Sequence, residues 1–458
     1  MTDLSKVETI VFLMFENRSF DHMLGHLSLP NFGNRTDVEG LTEPLERPEY
    51  ENRFQGDAYY PFVLDDGVLS TDLPHGRGEV AKQLAHNAVT GAHEMSGFVR
   101  AYFESVANQQ LDDTTKPDPM GFFTPAAVPI TNFLANEFAL CDHWFASLPT
   151  STQPNRVMSL CGSTRIDETH GLFPPRDAMV LDWLEQHGIR WRVYHCGISF
   201  FALLGRGEIF GPNFRGIDRL APDVAHEKVG DFPQVIFVEP SYGDAPHLGG
   251  DVPNDNHAPL AVAPGEALLR RVYQALTTNP ARWQRTVFVV TYDEHGGFFD
   301  HVPPPLIPYV PASNATFKTP FTSLGVRVPG LVISPLVQRR TVYKGILDHT
   351  SFLQLLAERF TPGTPFSERV DQRRKAGVAS VSAVLNVDSP RSQIPAAPNA
   401  PLSVTVTLSA PEPQAPTALQ QAFEDTARRM VADYPRQTAQ QYPEISHWVL
   451  TQDAGRTR

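Results

Sequence analysis

Two apolar, β-branched runs, each broken off by a cluster of carboxylates, constrain this chain more than any other feature. The first is Thr9–Phe15, followed at once by Glu16-Asn17-Arg18-Ser19-Phe20-Asp21. The second is Thr286–Tyr292, followed by Asp293-Glu294-His295-Gly296-Gly297-Phe298-Phe299-Asp300-His301. Runs that are apolar at successive positions, rather than alternating, read as strands buried on both faces, as in parallel sheets. Arg190–His195, Val235–Glu239 and Gly330–Ser334 have the same character. Helical patterns lie at Val180–His187, Gly265–Thr277 and Ser351–Phe360. In Gly265–Thr277, Ala267, Leu268, Val272, Ala275 and Leu276 fall on one stripe. The alternation predicts an α/β three-layer sandwich around a central, mostly parallel sheet.

Ligands of open α/β sheets gather beyond the carboxyl ends of the strands. Glu16 and Asn17 stand there, as a hard-metal or phosphate site or as a turn opening a short helix at Arg18–Leu24. The segment from Asp293 to His301 holds three carboxylates and two imidazoles in nine residues. Such crowding is costly without a cation or a substrate. A solvated loop is the other reading, and the buried strand before it argues against that. Asp255-Asn256-His257 offers a general acid or phosphate donor, with Asp255 setting the imidazole tautomer, or else a surface Asx turn. In Thr150–Val157 the hydroxyls precede Pro154, which can open a helix at its first turn. Thr152 is there either a plain N-cap or a nucleophile activated by a metal.

The length of 458 residues suits about three ordinary domains or one large α/β domain with insertions. With 41% hydrophobic residues a sizeable core is available. The 51 acidic against 38 basic residues, net −13, point away from nucleic acid. The 41 prolines show no period and read as rigid turns. Cys141, Cys161 and Cys196 make no disulfide framework and no CxxC motif. The first apolar run spans about seven residues and stops at Glu16, which fits neither a signal peptide nor a membrane helix. The default expectation is a cytoplasmic protein, with export by another route left open.

Taken together and in order, the segments resemble the phosphoesterase family of non-haemolytic phospholipases C and acid phosphatases, within the alkaline-phosphatase-like superfamily. The matching pieces are ENRSFDHMLG (16–25), DLPH (72–75), GFVRAY (97–102), TxPNR (152–156), DNHAP (255–259), TVFVVTYDEHGGFFDHVPPP (286–305) and DHTSFLQLLAERF (348–360). The resemblance implies one divalent metal held by Glu16, Asn17, Thr152, Asp293 and Glu294. It implies that Thr152 is the nucleophile, that His75 and His257 contact the phosphoryl group with Asn17, and that His295 is a further member of that shell. All-oxygen ligation suits Mg²⁺, Ca²⁺ or Mn²⁺, and Zn²⁺ stays open. Two departures bear on the pocket. Family members often read HPP where this chain has His257-Ala258-Pro259, and the stretch Gly91–Phe98 is altered.

The organisation that follows is a phosphoesterase catalytic domain over 1–387, with a loop-rich insertion at 25–135. Residues 388–418 read as a Pro-rich linker or wrapping arm with a β-like patch at Val404–Leu408. Residues 419–458 read as helical, with an amphipathic helix near Leu419–Ala432. The expected activity is phosphoric ester hydrolysis of phospholipase C type through a phospho-threonine. A phosphomonoesterase on the same centre and a catalytically silent binding protein are the competing readings. The expected partner is a phosphate-ester substrate, with a phospholipid among the candidates. Phe122-Phe123, Trp144-Phe145 and Phe200-Phe201 could line a path for acyl chains or belong to the core.

Overall fold

The computed structural model describes residues 3–64, 69, 72–105, 116–171, 178–246, 252–399 and 416–456. Among the described residues, eight strands form one sheet: Thr9–Phe15 (β1), Ala139–Cys141 (β2), Trp191–His195 (β3), Phe214–Gly216 (β4), Val235–Glu239 (β5), Thr286–Tyr292 (β6), Gly330–Ile333 (β7) and Thr341–Tyr343 (β8). Their order across the sheet is β8-β2-β7-β6-β1-β5-β3-β4. The run from β6 through β1, β5 and β3 to β4 is parallel throughout. β7 pairs antiparallel with β6 and with β2, so Gly330–Ile333 departs from the expected parallel direction. The reason is the connection. Residues 293–329 contain no helix to carry the chain back to the amino edge, so it re-enters the sheet where β6 left it.

Every residue of β1, β5 and β6 is buried, which requires cover on both faces. On one face Phe12 stacks on Phe352, 4.2 Å between ring centres, from the helix Thr350–Phe360. The predicted helices appear as Val180–Gln186, Ala263–Thr277 and Thr350–Phe360. In Ala263–Thr277 the buried stripe is Leu268, Leu269, Val272, Tyr273, Ala275 and Leu276, and Ala267 lies at its margin. Between 25 and 135 the described elements are short: three-residue strands and helices such as Arg77–Leu84, Phe98–Glu104 and Pro129–Glu137. Residues 388–399 lie against the body, where Tyr273 donates its hydroxyl to the Pro395 carbonyl at 2.6 Å. The patch at Val404–Leu408 lies outside the described residues. The expected C-terminal helix runs Ala418–Asp433, followed by Pro435–Gln441 and Pro443–Arg456. Leu419, Ala422, Phe423 and Met430 join the same apolar core as β1.

One buried carboxyl in this scaffold has a pH consequence. Glu266 accepts from the backbone N–H groups of Ile130 and Thr131, at 2.6 and 3.0 Å, and from the Thr131 hydroxyl. Burial outweighs these bonds and raises its pKa from 4.5 to about 7. The native state therefore holds this proton over a range where the unfolded chain releases it. Its stabilising contribution is full below about pH 4.5 and is lost as pH rises through about 7. Glu266→Gln keeps the acceptor without the charge. It is expected to leave stability unchanged near pH 4.5 and to add up to roughly 3 kcal/mol at pH 8. Thermal unfolding of both proteins across that range checks this, and parallel curves would contradict it.

Candidate active site

Strand register builds the site. Residues of β1 and β6 pair from Thr9↔Thr286 to Phe15↔Tyr292, so both chains leave the sheet side by side at one edge. Neighbouring strands lie ~4.8 Å apart, which makes Glu16-Asn17 and Asp293-Glu294 immediate neighbours. The Asp293 N–H donates to the Phe15 carbonyl at 3.1 Å, and the Asn17 N–H donates to Asp293 Oδ1 at 3.1 Å. Asn17 has φ 59°, a left-handed conformation that asparagine tolerates better than most residues. Gly296 and Gly297 have φ 63° and 79°. A Cβ on Gly296 would lie 2.2 Å from the Asn17 carbonyl oxygen, and one on Gly297 would lie 2.8 Å from that of Pro74. These glycines let the Asp293 turn close onto both the Asn17 turn and the loop that carries His75. The short helix expected at Arg18–Leu24 is Phe20–Leu24, capped by Ser19, whose hydroxyl accepts from the His22 N–H at 3.2 Å.

Thr152 reaches the same place from the helix Thr152–Cys161. Ser151 holds the N-cap position, so Thr152 is the first helical residue rather than the cap. Its hydroxyl is buried and donates to Asn17 Oδ1 at 3.2 Å. One turn along, Arg156 holds the acidic cluster together. Its Nε donates to Asp293 Oδ2 at 3.0 Å, and its Nη2 lies 3.1 Å from Glu16 Oε1. Its Nη1 donates to the Tyr242 hydroxyl at 3.0 Å, which donates to Glu239 Oε2 at 2.8 Å.

The histidines divide into two pairs of roles. His75 Nδ1 lies 2.6 Å from the Leu73 carbonyl, which fixes its proton there and turns Nε2 to the Asn17 amide at 3.4 Å. Burial opposes charge on His75, but Glu294 and Asp72 outweigh it and raise its pKa. His257 Nδ1 lies 2.9 Å from Asp244 Oδ2 and 3.4 Å from Glu16 Oε2, and its Nε2 lies 3.5 Å from Asp72 Oδ1. Burial again opposes charge, and Asp244 and Asp72 hold the pKa well above its ordinary value. Asp255 does not set this tautomer. Its Oδ1 accepts the His257 backbone N–H at 3.2 Å, so it fixes the loop, and Asp244 orients the ring. His295 stands behind Glu294. Its Nδ1 lies 3.2 Å from Glu294 Oε2 and its Nε2 lies 2.8 Å from Gln83 Oε1. His349 Nε2 lies 2.6 Å from the Asp293 carbonyl and braces the turn from below.

A cavity of about 200 Å³ opens over these groups, lined by Asp72, His75, Thr152, Asp244, His257 and Thr417 among others. Thr417 caps the helix Ala418–Asp433 and its hydroxyl lies 3.2 Å from Asp244 Oδ1. Asp72, Arg156, Asp244 and Thr417 are the residues that sequence reasoning missed as parts of the site. Asp72 and Arg156 stood inside quoted motifs and carried that much signal. The aromatic pairs Phe122-Phe123, Trp144-Phe145 and Phe200-Phe201 are all buried in the interior and line no part of this cavity.

The donor set fits a cation. Both oxygens of Glu16 and Oε1 of Glu294 are buried without a hydrogen-bond partner among the described residues. Burial pushes Glu16 well above the usual carboxylate range and Asp293 up to about 6, with Arg156 only partly offsetting it. Ligand atoms of Glu16, Asp255 and His257 lie within 4.8 Å of one another, as do those of Asp72, His75 and His257. Arg156 faces Glu16 and Asp293, His75 faces Glu294 and His257 faces Glu16, yet three of these buried carboxylate oxygens still accept no hydrogen bond among the described residues, an arrangement that a divalent cation would complete.

The Phosphoesterase family model matches residues 7–361. The chain is similar to non-specific phospholipase C1 of Arabidopsis thaliana, 33% identical over 76% of this chain and 64% of that protein. It is 30% identical to non-specific phospholipase C3 of the same plant over 85% of this chain and 76% of that one. Phospholipase C A of Mycobacterium tuberculosis is 30% identical over 79% of this chain and 74% of that protein. The chain therefore spans less than two thirds of the first of these relatives. Among solved structures, a protein in the alkaline phosphatase superfamily from Vibrio parahaemolyticus aligns over 51% of this chain and 60% of that one. Its identity is 14% and its TM-score 0.32.

Proposed function

The chain belongs to the Phosphoesterase family, and we propose that it is a metal-dependent phosphoric ester hydrolase of phospholipase C type. The observation that carries this reading is the meeting of Glu16-Asn17, Asp293-Glu294 and the Thr152 hydroxyl at one sheet edge, beneath a cavity with two histidines. Glu16, Asn17, Asp293, Glu294 and the Thr152 oxygen would hold the cation. When bound, the cation lowers the pKa of a coordinated alcohol and draws charge from phosphoryl oxygens.

Thr152 attacks phosphorus in line as the alkoxide, its proton passing to solvent, and the ester bond to the leaving alcohol breaks. His257, kept protonated by Asp244 and Asp72, gives its proton to that alcohol. Asn17 and His75 face the equatorial oxygens, which carry the charge in the transition state. Water then attacks the phospho-threonine as the bond from phosphorus to the Thr152 oxygen breaks, the now neutral His257 takes the water's proton, and the released Thr152 oxygen regains its proton from solvent. Arg156 touches the carboxylates rather than the cavity and keeps them in place.

The relatives named phospholipases C favour a diester substrate. One observation favours a phosphomonoester. Among the described residues of the cavity lining, the apolar side chains are Ala418 and Leu419, short of a path for two acyl chains. Turnover of a chromogenic phosphodiester and of the matching monoester, with added divalent cation, decides between them. Turnover of neither would overturn the enzymatic reading.

His257→Ala tests the acid. An alkyl ester needs the proton that an activated aryl ester can do without. The alkyl ester is expected to slow by about 10²–10⁴-fold and the aryl ester by far less. Equal losses on the two would mean that His257 only binds the phosphoryl group.

A further inference from the structure

A larger cavity, of about 510 Å³, lies at the opposite edge of the sheet. Thr9 opens β1, and Arg190, Gln234 and Arg285 each immediately precede β3, β5 and β6, so the amino ends of four parallel strands form its floor. Its walls add Glu8, Arg282 and Arg359. Four arginines thus face one carboxylate, in a chain whose acidic residues outnumber its basic ones by 51 to 38.

The arginines are anchored in ways that spare their charge. Arg190 Nε donates to the Phe232 carbonyl at 3.1 Å, and Arg359 Nε donates to the Val7 carbonyl at 2.5 Å. Arg282 donates to the Glu227 carbonyl and lies over the Phe232 ring, 4.2 Å from its centre. A carbonyl or a ring face orients a guanidinium without neutralising it. Arg285 pairs with Glu8, and Arg359 interacts at longer range with Glu8 and with Asp3. Guanidinium forks match the geometry of phosphate oxygens, and the volume falls in the range of small-molecule sites.

We infer that this cavity is a second ligand site, separate from the catalytic edge, for a soluble anion carrying two or more phosphate groups. Among the described residues, four guanidiniums around the amino ends of four strands face Glu8 in the lining and Asp3 beside Arg359, an excess of positive charge with more donors than a single phosphate can accept. A lipid headgroup shares this chemistry, but the placement argues for the soluble source. β1 has seven residues and spans roughly 23 Å between the two edges. A bilayer docked on the arginines would face away from the catalytic cavity.

The test uses fructose 1,6-bisphosphate as probe, titrated calorimetrically into the Thr152→Val protein so that no turnover occurs. Arg190 and Arg285 are outside the catalytic machinery, and the double variant Arg190→Gln/Arg285→Gln is expected to bind the probe at least about tenfold more weakly. Glu8→Gln removes the carboxylate found among the described lining residues and is expected to tighten binding severalfold, a gain that a folding defect would not produce. Absence of binding, or affinities unchanged in both variants because the probe sits only at the catalytic edge, would overturn the inference. Sedimentation with phosphatidic acid vesicles separates the two sources. Vesicle binding lost in the double variant, with bisphosphate binding intact, would assign the arginines to a lipid surface and contradict the soluble ligand.

Discussion

Thr152→Val is expected to lower kcat/KM by ~10⁴-fold or more, the scale seen when a covalent nucleophile is removed. The residue is buried at the first position of its helix, and its hydroxyl bonds the Asn17 amide oxygen at 3.2 Å. Valine fills nearly the same volume and leaves the helix intact, so a large loss reports the missing oxygen and not a collapsed site. Thr152→Ser keeps the oxygen and loses one methyl group. It is expected to stay within about tenfold of the parent, or ~1.4 kcal/mol in the barrier. Thr152→Ala should resemble valine. Near-native turnover by Thr152→Val would mean that water attacks phosphorus directly.

Removal of divalent cations with a chelator is expected to abolish turnover and to lower the thermal midpoint. The fall should be larger at pH 7.5 than at pH 5. Without a cation, Glu16 and Asp293 are buried together against Arg156 with Glu294 beside them against His75, and both Glu16 oxygens and one of Glu294 lack hydrogen-bond partners among the described residues. Burial raises Glu16 well above its ordinary value and Asp293 to about 6. A carboxyl whose pKa is raised by folding stabilises the native state fully below its unfolded value and loses that contribution as pH rises through the folded one. The metal-free protein can therefore relieve its repulsion by protonation near pH 5 but not at pH 7.5. A bound cation removes the repulsion at either pH and adds the mass-action stabilisation of a ligand of the native state. Full activity after exhaustive chelation, or a loss that no divalent cation restores, would contradict this part of the account.

The parts of the site that follow a strand directly were legible in the sequence. Glu16-Asn17 and Asp293-Glu294 sit one residue beyond apolar runs, and parallel pairing in register brings such positions together without further information. Strand direction was not legible at Gly330–Ile333, because a run buried on both faces looks the same in either orientation. The short strands Ala139–Cys141, Phe214–Gly216 and Thr341–Tyr343 carry too few residues for a period to show. The partners of His257 come from Asp72 and Asp244, on loops far apart in the chain, and only the folded sheet edge makes them neighbours. Asp255 was the nearest acid in sequence and went to the backbone instead. Thr417 enters from a helix beyond the span of the family match, so no motif pointed to it.

The stereochemical course at phosphorus tests the central claim most directly, because it counts displacements without altering the protein. A phosphorothioate diester of known configuration at phosphorus would be hydrolysed in ¹⁸O-labelled water and the configuration of the thiophosphate product determined. Attack by Thr152 followed by attack of water makes two in-line displacements, each inverting phosphorus, and the account predicts net retention. Clean inversion would show a single displacement by water and would contradict the phospho-threonine route.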